Sequence, residues 1–181
     1  PAVPAGRFEG RHRRIFGPPD GSCRAESGLP IAMRGARAHE AELILAHVVP
    51  EARLTIPTVD QGDDFCTRLT EKNERDARDY LDALRTKLWK ERLPVRTVVV
   101  ANGDARPQLR QLAVHHRADL MIISSHGRSG MADIACGSVA EYLVTHAPIP
   151  LFLVRPTLAE ALAAAGSLTE PPHRAAMPIR A

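Results

Sequence analysis

The sequence predicts a doubly wound α/β domain built on a five-stranded, mainly parallel sheet. Short apolar runs alternate with segments of helical periodicity along most of the chain. The run at residues 42–49 is almost continuously apolar, which is typical of a parallel strand covered by helices on both faces. Glycines follow the apolar run at residues 120–123 and precede a helical pattern, an arrangement that favours anion binding.

The first predicted strand lies near Ile15 and is weak. Pro19 has no N–H group for a sheet ladder, and Gly17 has no side chain to pack. Next come a helix, a buried strand, a long charged helix, a β-branched strand and a helix opened by Pro107. The fourth strand, the glycine loop, a last helix and the fifth strand complete the alternation. The predicted bounds are 26–39 for the first helix, 42–49 for the buried strand, 64–92 for the long helix and 95–100 for the β-branched strand. The next helix begins at 107, the fourth strand spans 120–124, the last helix begins at 137 and the fifth strand spans 151–154.

Composition limits the classes of function. Aromatic residues make up 4% of the chain and the net charge is +3, which together disfavour a single-stranded nucleic-acid platform. No apolar stretch approaches the roughly 18 residues of a membrane span. Three irregularly spaced cysteines without a CxxC pair are typical of a reducing compartment, so we expect a cytoplasmic protein.

The chain has a candidate phosphate cradle but no recognisable catalytic set. The run Ser-Ser-His-Gly at 124–127 is followed, after nine residues, by Gly137 and Ser138 at a helix start. Free amides at that start would attract phosphate, while Ser138 and Glu141 have the spacing of a capping box. No P-loop, GxGxxG, HExxH or GxSxG pattern occurs. This favours a binding module over an efficient enzyme.

These residues resemble the glycine signature of the universal stress protein family. In its ATP-binding members that signature reads Gly, two residues, Gly, nine residues, Gly, then Ser or Thr. Residues 18–22, 42–49 and 147–154 are similar to the family's first-strand ending, second strand and last strand. The resemblance covers roughly residues 14–156 and implies the strand order 3-2-1-4-5.

The resemblance implies an ATP-binding stress-response regulator, at most a slow ATPase, with Mg²⁺ as the candidate cation. Asp20 would contact the ribose or adenine, while Gly127 and the amides at 137–139 would hold phosphates. No metal ligand is assigned. The full set of expected binding residues is Pro18, Asp20, Gly21, Ser22, Val48, Gly103, Ser124, His126, Gly127, Arg128, Gly130, Gly137, Ser138 and Val139.

Two departures from the family pattern keep alternatives open. Ser124 stands where the signature has its first glycine, and a Cβ there is harmful if the position needs positive φ or close phosphate approach. Gly17 and Pro19 weaken the first strand. The first alternative is therefore a family member that has lost ATP binding and acts through protein partners. The second is a nucleotide-dependent enzyme of a related adenine-binding α/β fold.

For domain organisation, we expect a disordered arm at residues 1–12, a universal stress protein domain at 13–156 and a largely disordered tail at 157–181. In the implied order the fifth strand, Leu151 to Val154, lies at a sheet edge, where an apolar strand invites pairing with another chain. Family members commonly dimerise through this strand, so the resemblance implies a two-fold homodimer. A regulatory protein partner is expected but not identified. Pro148 and Pro150 and the tail oppose the edge pairing.

Overall fold

The computed structural model of the chain describes residues 10–51, 62–125 and 136–155. Within these residues the chain alternates between strands and helices. The strands are β1 (Arg14–Gly17), β2 (Glu42–Val49), β3 (Val95–Ala101), β4 (Leu120–Ser124) and β5 (Leu151–Val154). The helices are α1 (Cys23–Glu26), α2 (Leu29–His39), α3 (Gly62–Lys90), α4 (Ala105–His115) and α5 (Ser138–His146).

The five strands form one sheet in the order β3-β2-β1-β4-β5, and every neighbouring pair is parallel. The predicted fold class and strand order are confirmed. β1 lies at the centre, where Ile15 pairs in register with Leu43 of β2 and Leu120 of β4. Because β1 ends at Gly17, Pro19 lies beyond the ladder and removes no sheet hydrogen bond.

Helices cover both faces of the sheet, and the alternation of β2 shows how the two faces are divided. Leu43 and Leu45 point to the face covered by α2 and α3, where the side chains of Leu81, Leu84 and other apolar residues pack. Ile44, Ala46 and Val48 point to the opposite face, covered by α4 and α5. Two apolar layers therefore sandwich the sheet, as expected for a parallel strand without a solvent face.

Several helix boundaries differ from the predicted ones. The helix expected over residues 26–39 begins only at Leu29, with Gly28 as its N-cap, and a separate turn, α1, precedes it and ends at Glu26 with Ser27 as its C-cap. The long helix begins and ends two residues earlier than predicted. The predictions for residues 1–9 and 157–181 lie outside the described residues, and the domain boundaries stay predictions. In the part of the chain described, no helix combines the length and apolarity that a bilayer crossing requires.

Candidate functional site

A cavity of about 330 Å³ opens at the carboxyl ends of β1, β2 and β4. In open parallel sheets this is where ligands bind, since the chain leaves the central strand in opposite directions and the crossing helices separate. Residues after the three strands, one residue of α1, the start of α4 and the first turns of α5 form its walls. Its lining residues are Pro18, Pro19, Asp20, Ala25, Ala46, His47, Val48, Pro50, Ala105, Leu109, Ile123, Ser124, Ser125, Gly137, Ser138, Val139, Ala140 and Leu143.

The deep part of the cavity is apolar. Ala46 and Val48 of β2, Ile123 of β4, Leu109 of α4 and Leu143 of α5 line it, and all five are buried. These side chains belong to the sheet face covered by α4 and α5. An apolar floor with a few polar groups at its rim is the usual composition of a small-molecule pocket and suits the flat face of a ring system.

Asp20 organises the turn that forms one wall. Its Oδ1 accepts hydrogen bonds from the Ser22 amide (2.9 Å) and the Ser22 hydroxyl (2.5 Å). Ser22 Oγ in turn accepts from the Ala25 amide (3.2 Å), which caps α1. Between them, Gly21 has a φ of +74°, a conformation that favours glycine. Asp20 therefore combines a turn role with a place in the cavity wall.

The N-terminus of α5 forms the opposite wall. Gly137 is its N-cap, with an extended backbone, and no side chain caps this end among the described residues. The predicted capping box is wrong, because Ser138 is already the first helical residue and Glu141 donates its amide to the Gly137 carbonyl (2.9 Å). The first amides of a helix have no acceptor within it, so this end retains donors and the positive end of the helix dipole.

Ser125 holds this helix start against the sheet. Its amide donates to the Val154 carbonyl (2.7 Å), and its carbonyl accepts from the Gly137 amide (2.7 Å). Ser125 is fully buried. One residue therefore joins the end of β4, the end of β5 and the N-cap of α5.

Ser124 ends β4 at the cavity wall. Its φ is not positive, since among described non-glycine residues only Glu40, Arg92, Asn102 and Arg117 have positive φ. A side chain at this position is therefore compatible with the backbone. The Ser124 hydroxyl oxygen is buried and has no hydrogen-bond partner in the described structure.

An exposed ion pair lies beside the cavity at the start of α4. The Asp104 carboxylate caps the helix by accepting the Arg106 amide (3.0 Å) and also binds the Arg106 guanidinium (2.7 Å). The hydrogen bonds from Arg106 lower the pKa of Asp104, and the same pairing raises the pKa of Arg106. Ala105, the first residue of α4, lies between these two residues in the sequence and lines the cavity.

The comparison with protein families decides what kind of domain this is. The sequence model of the Universal stress protein family matches residues 12–155. The chain belongs to the universal stress protein family. A universal stress protein of Thermus aquaticus is 26% identical over 136 residues, which are 75% of this chain and 93% of that protein.

Solved structures of universal stress proteins share the fold. A universal stress protein from Lactobacillus plantarum superposes with a TM-score of 0.67 at 24% identity, covering 81% of this chain and 99% of that one. A universal stress protein family protein from Arabidopsis thaliana, solved with AMP bound, gives a TM-score of 0.56 at 16% identity. That match covers 82% of this chain and 94% of the plant protein.

Half of the expected binding residues of this universal stress protein lie together around the cavity: Pro18, Asp20, Val48, Ser124, Gly137, Ser138 and Val139. Ser22 and Gly21 support the Asp20 turn without lining the cavity. Gly103 does not line it either; a Cβ added there would lie 2.9 Å from Gln108 Cγ and 3.3 Å from Val48 Cγ1. His126, Gly127, Arg128 and Gly130 lie outside the described residues.

The expected binding residues left out most of the apolar floor and several wall residues, among them His47, Ala25 and Ser125. Leu109, Ala46 and Leu143 have the periodicity of ordinary core residues, so nothing in the sequence marks them as pocket residues. His47 and Ala25 line the cavity although neither belongs to a glycine motif. Ser125 lies inside the Ser-Ser-His-Gly motif directly after the apolar run of β4, and this position at a strand end was the signal that could have identified it.

Proposed function

We propose that this universal stress protein binds ATP or a related adenine nucleotide in the cavity and acts in stress-linked regulation in the cytoplasm. The observation that carries the proposal is the cavity itself, with an apolar floor on one side and the uncapped N-terminus of a nine-residue helix on the other. The apolar floor suits a nucleotide base, and the free amides of the helix N-terminus suit a phosphate. The AMP bound by the Arabidopsis thaliana protein supports the same ligand class.

In the proposed complex the base lies on Val48, Ile123 and the neighbouring apolar side chains. The ribose approaches Asp20, in keeping with the family resemblance. Phosphate oxygens accept hydrogen bonds from the amides of residues 138–139 and from the exposed Ser138 hydroxyl. Gly127, with its neighbours His126, Arg128 and Gly130, is proposed for phosphate contact on sequence grounds alone.

A divalent cation such as Mg²⁺ would be held mainly by the nucleotide. No group of three or more His, Cys, Asp or Glu side chains among the described residues could hold a metal ion. Mg²⁺ commonly keeps several waters and binds phosphate oxygens with only one or two protein carboxylates. Asp20 is the cavity's carboxylate for such a contact.

Calorimetry with AMP and with ATP, each with and without Mg²⁺, tests the proposal, together with mass analysis of any nucleotide released from the purified protein. Ala105→Trp places a large side chain in the cavity wall and should weaken nucleotide binding at least about tenfold, equal to about 1.4 kcal/mol. Val114→Trp is the matched control, because Val114 is exposed on the same helix. Absence of binding by the wild-type chain at millimolar nucleotide contradicts the proposal.

Ser124 motivates a second candidate, a regulator that has lost nucleotide binding and works through protein contacts alone. The Ser124 side chain occupies the strand end that is glycine in the family signature, at the cavity wall. If this side chain blocks the phosphates, Ser124→Gly should create binding that the wild-type chain lacks. Equal, measurable affinities of the two chains would exclude this candidate. A steady-state turnover of about 10 per second would instead support an enzyme.

A further inference from the structure

A buried acid lies behind the cavity wall, outside the proposed nucleotide contacts. Glu26 is the last residue of α1 and is only 4% exposed. Tyr80 of α3 donates its hydroxyl to Glu26 Oε1 at 2.7 Å. Burying a carboxylate is unfavourable unless hydrogen bonds compensate it, so this contact determines where the end of α1 can lie.

The chain between Glu26 and Asp20 is tightly hydrogen-bonded, so the position of one sets the position of the other. The Glu26 amide donates to the Ser22 carbonyl (3.0 Å), and the Ala25 amide donates to Ser22 Oγ (3.2 Å). Ser22 donates its amide and hydroxyl to Asp20. Both Asp20 and Ala25 line the cavity.

α1 needs an external support because it has only four residues. A single helical turn is unstable by itself, and its position depends on tertiary contacts. Tyr80 also contacts β2, since its ring lies edge-on to His47 with 6.5 Å between the ring centres. His47 lines the cavity. The side chain of Tyr80 thus contacts Glu26, which adjoins the lining residue Ala25, and His47, which lines the cavity itself.

We propose that Glu26 and Tyr80 are positioning residues for nucleotide binding: their hydrogen bond holds α1, and through it Asp20 and Ala25, in the geometry that the ligand meets. The inference rests on the proposed nucleotide binding for its effect on affinity. Its effect on the order of α1 is independent of any ligand. The two parts are therefore measured separately.

The first measurement is amide hydrogen exchange of the nucleotide-free chain. Tyr80→Phe removes the hydroxyl and keeps the ring, so the amides of residues 22–28 should exchange faster while those of α4 do not change. Glu26→Ala should have the same effect, and Glu26→Gln should restore protection because its amide oxygen can accept the Tyr80 hydroxyl. Tyr142→Phe, at the other tyrosine of the chain, is the matched control.

The second measurement is calorimetry of AMP binding well below the unfolding temperature. Tyr80→Phe should raise the dissociation constant roughly three- to tenfold, the range expected for one lost hydrogen bond. The Tyr80→Phe, Glu26→Ala double variant should be no weaker than either single variant, because both remove the same contact. A merely structural pair would lower the unfolding temperature and leave the affinity unchanged.

The outcomes separate the two proposals. Unchanged exchange at residues 22–28 in Tyr80→Phe overturns the positioning role whether or not nucleotide binds. Faster exchange with unchanged AMP affinity overturns it as well. Faster exchange in a chain whose wild type binds no nucleotide supports the Glu26–Tyr80 control of α1 and overturns the proposed function instead.

Discussion

Single side chains decide how this family member differs from the pattern it resembles. Ser124 places a hydroxyl where the signature has hydrogen, and the described structure offers that hydroxyl no partner. A buried polar group without a partner destabilises the folded state. The residue is therefore tolerated by the backbone but is unfavourable for stability.

Ser124→Ala should raise the free energy of unfolding by about 0.5–1.5 kcal/mol, because it removes the unpaired hydroxyl and keeps the Cβ. Urea unfolding measures the change. Ser138→Ala is a useful control, since Ser138 is exposed and its hydroxyl is not buried on folding. A lower stability of Ser124→Ala would mean that the hydroxyl has a partner in solution.

A second residue, His116, makes the stability of the folded chain depend on pH. Burial lowers the pKa of His116, and the charges of His115 and Arg96 act in the same direction. The unfolded chain therefore takes up a proton before the folded chain does as the pH falls. Stability from this group is complete above the unfolded pKa of about 6.5 and is lost as the pH falls toward the lower folded pKa.

His116→Gln should consequently flatten the loss of unfolding free energy between neutral pH and about pH 5. Urea unfolding at several pH values provides the comparison. His146→Gln, at an exposed histidine on α5, is the control. The interpretation fails if His116→Gln and the wild-type chain lose stability equally over this interval.

At the scale of elements, helix N-termini form much of the cavity wall, while Leu109 and Leu143 of the second helical turns form part of its floor. α4 and α5 present their N-terminal turns to the cavity, and α1 presents its only turn. Each of these helices begins differently. Ser22 caps α1, Asp104 caps α4, and Gly137 leaves α5 without a side-chain cap. The uncapped end is the one whose amides are proposed to bind phosphate.

Asp104→Ala should lower the free energy of unfolding by about 1 kcal/mol, the usual effect of losing an N-cap. Asp104→Asn should retain most of the stability, because its side-chain oxygen still accepts the Arg106 amide while the ion pair is lost. Both partners of that pair are exposed, and surface ion pairs contribute little. Equal stabilities of the Ala and Asn variants would contradict this assignment.

Local patterns predicted the elements well. The apolar run of β2 and the β-branched run of β3 identified those strands, because side-chain periodicity and burial are coupled along a sheet. The cap of α5 was misplaced, since the S-x-x-E pattern does not show whether the serine is the N-cap, where a capping box can form, or the first helical residue. The extended backbone of Gly137 decided the matter.

At the scale of the whole molecule, the exposed edge of the sheet bears on assembly. β5 pairs with β4 and is the last strand of the sheet. Phe152 is 52% exposed and Leu153 40% exposed, so this apolar strand is incompletely covered within the described chain. A two-fold homodimer through residues 151–154 remains our proposal for how the edge is covered.

Phe152→Asp should dissociate such a dimer without unfolding the monomer, because Phe152 is outside the core. Light scattering at tens of micromolar protein gives the mass of each chain. Val114→Asp introduces the same charge at an exposed valine of α4 and should leave the dimer intact. A monomer mass for the wild-type chain would show that the edge is covered by the chain itself.

The tertiary contacts around the site could not be predicted from the sequence. Glu26 and Tyr80 are 54 positions apart, and neither residue is in a motif. His47 lies in an almost continuously apolar strand, so its sequence context is that of a core residue and not of a cavity residue. Such contacts depend on how α3 crosses the sheet, which periodicity along one segment does not determine.

Two backbone hydrogen bonds of Ser125 link the ends of β5 and β4 to the start of α5 and have a thermodynamic consequence. The peptide groups of this residue connect the last carbonyl of the edge strand to the N-cap of α5. If binding orders either neighbour, these hydrogen bonds lower the entropic penalty of ordering the other. If nucleotide binds at α5 and a second copy binds at β5, each ligand should tighten the other by the same factor, since linkage is reciprocal. Nucleotide concentration would then set the fraction of chains that are paired, and the cell's adenylate pool would be read out as a change in assembly.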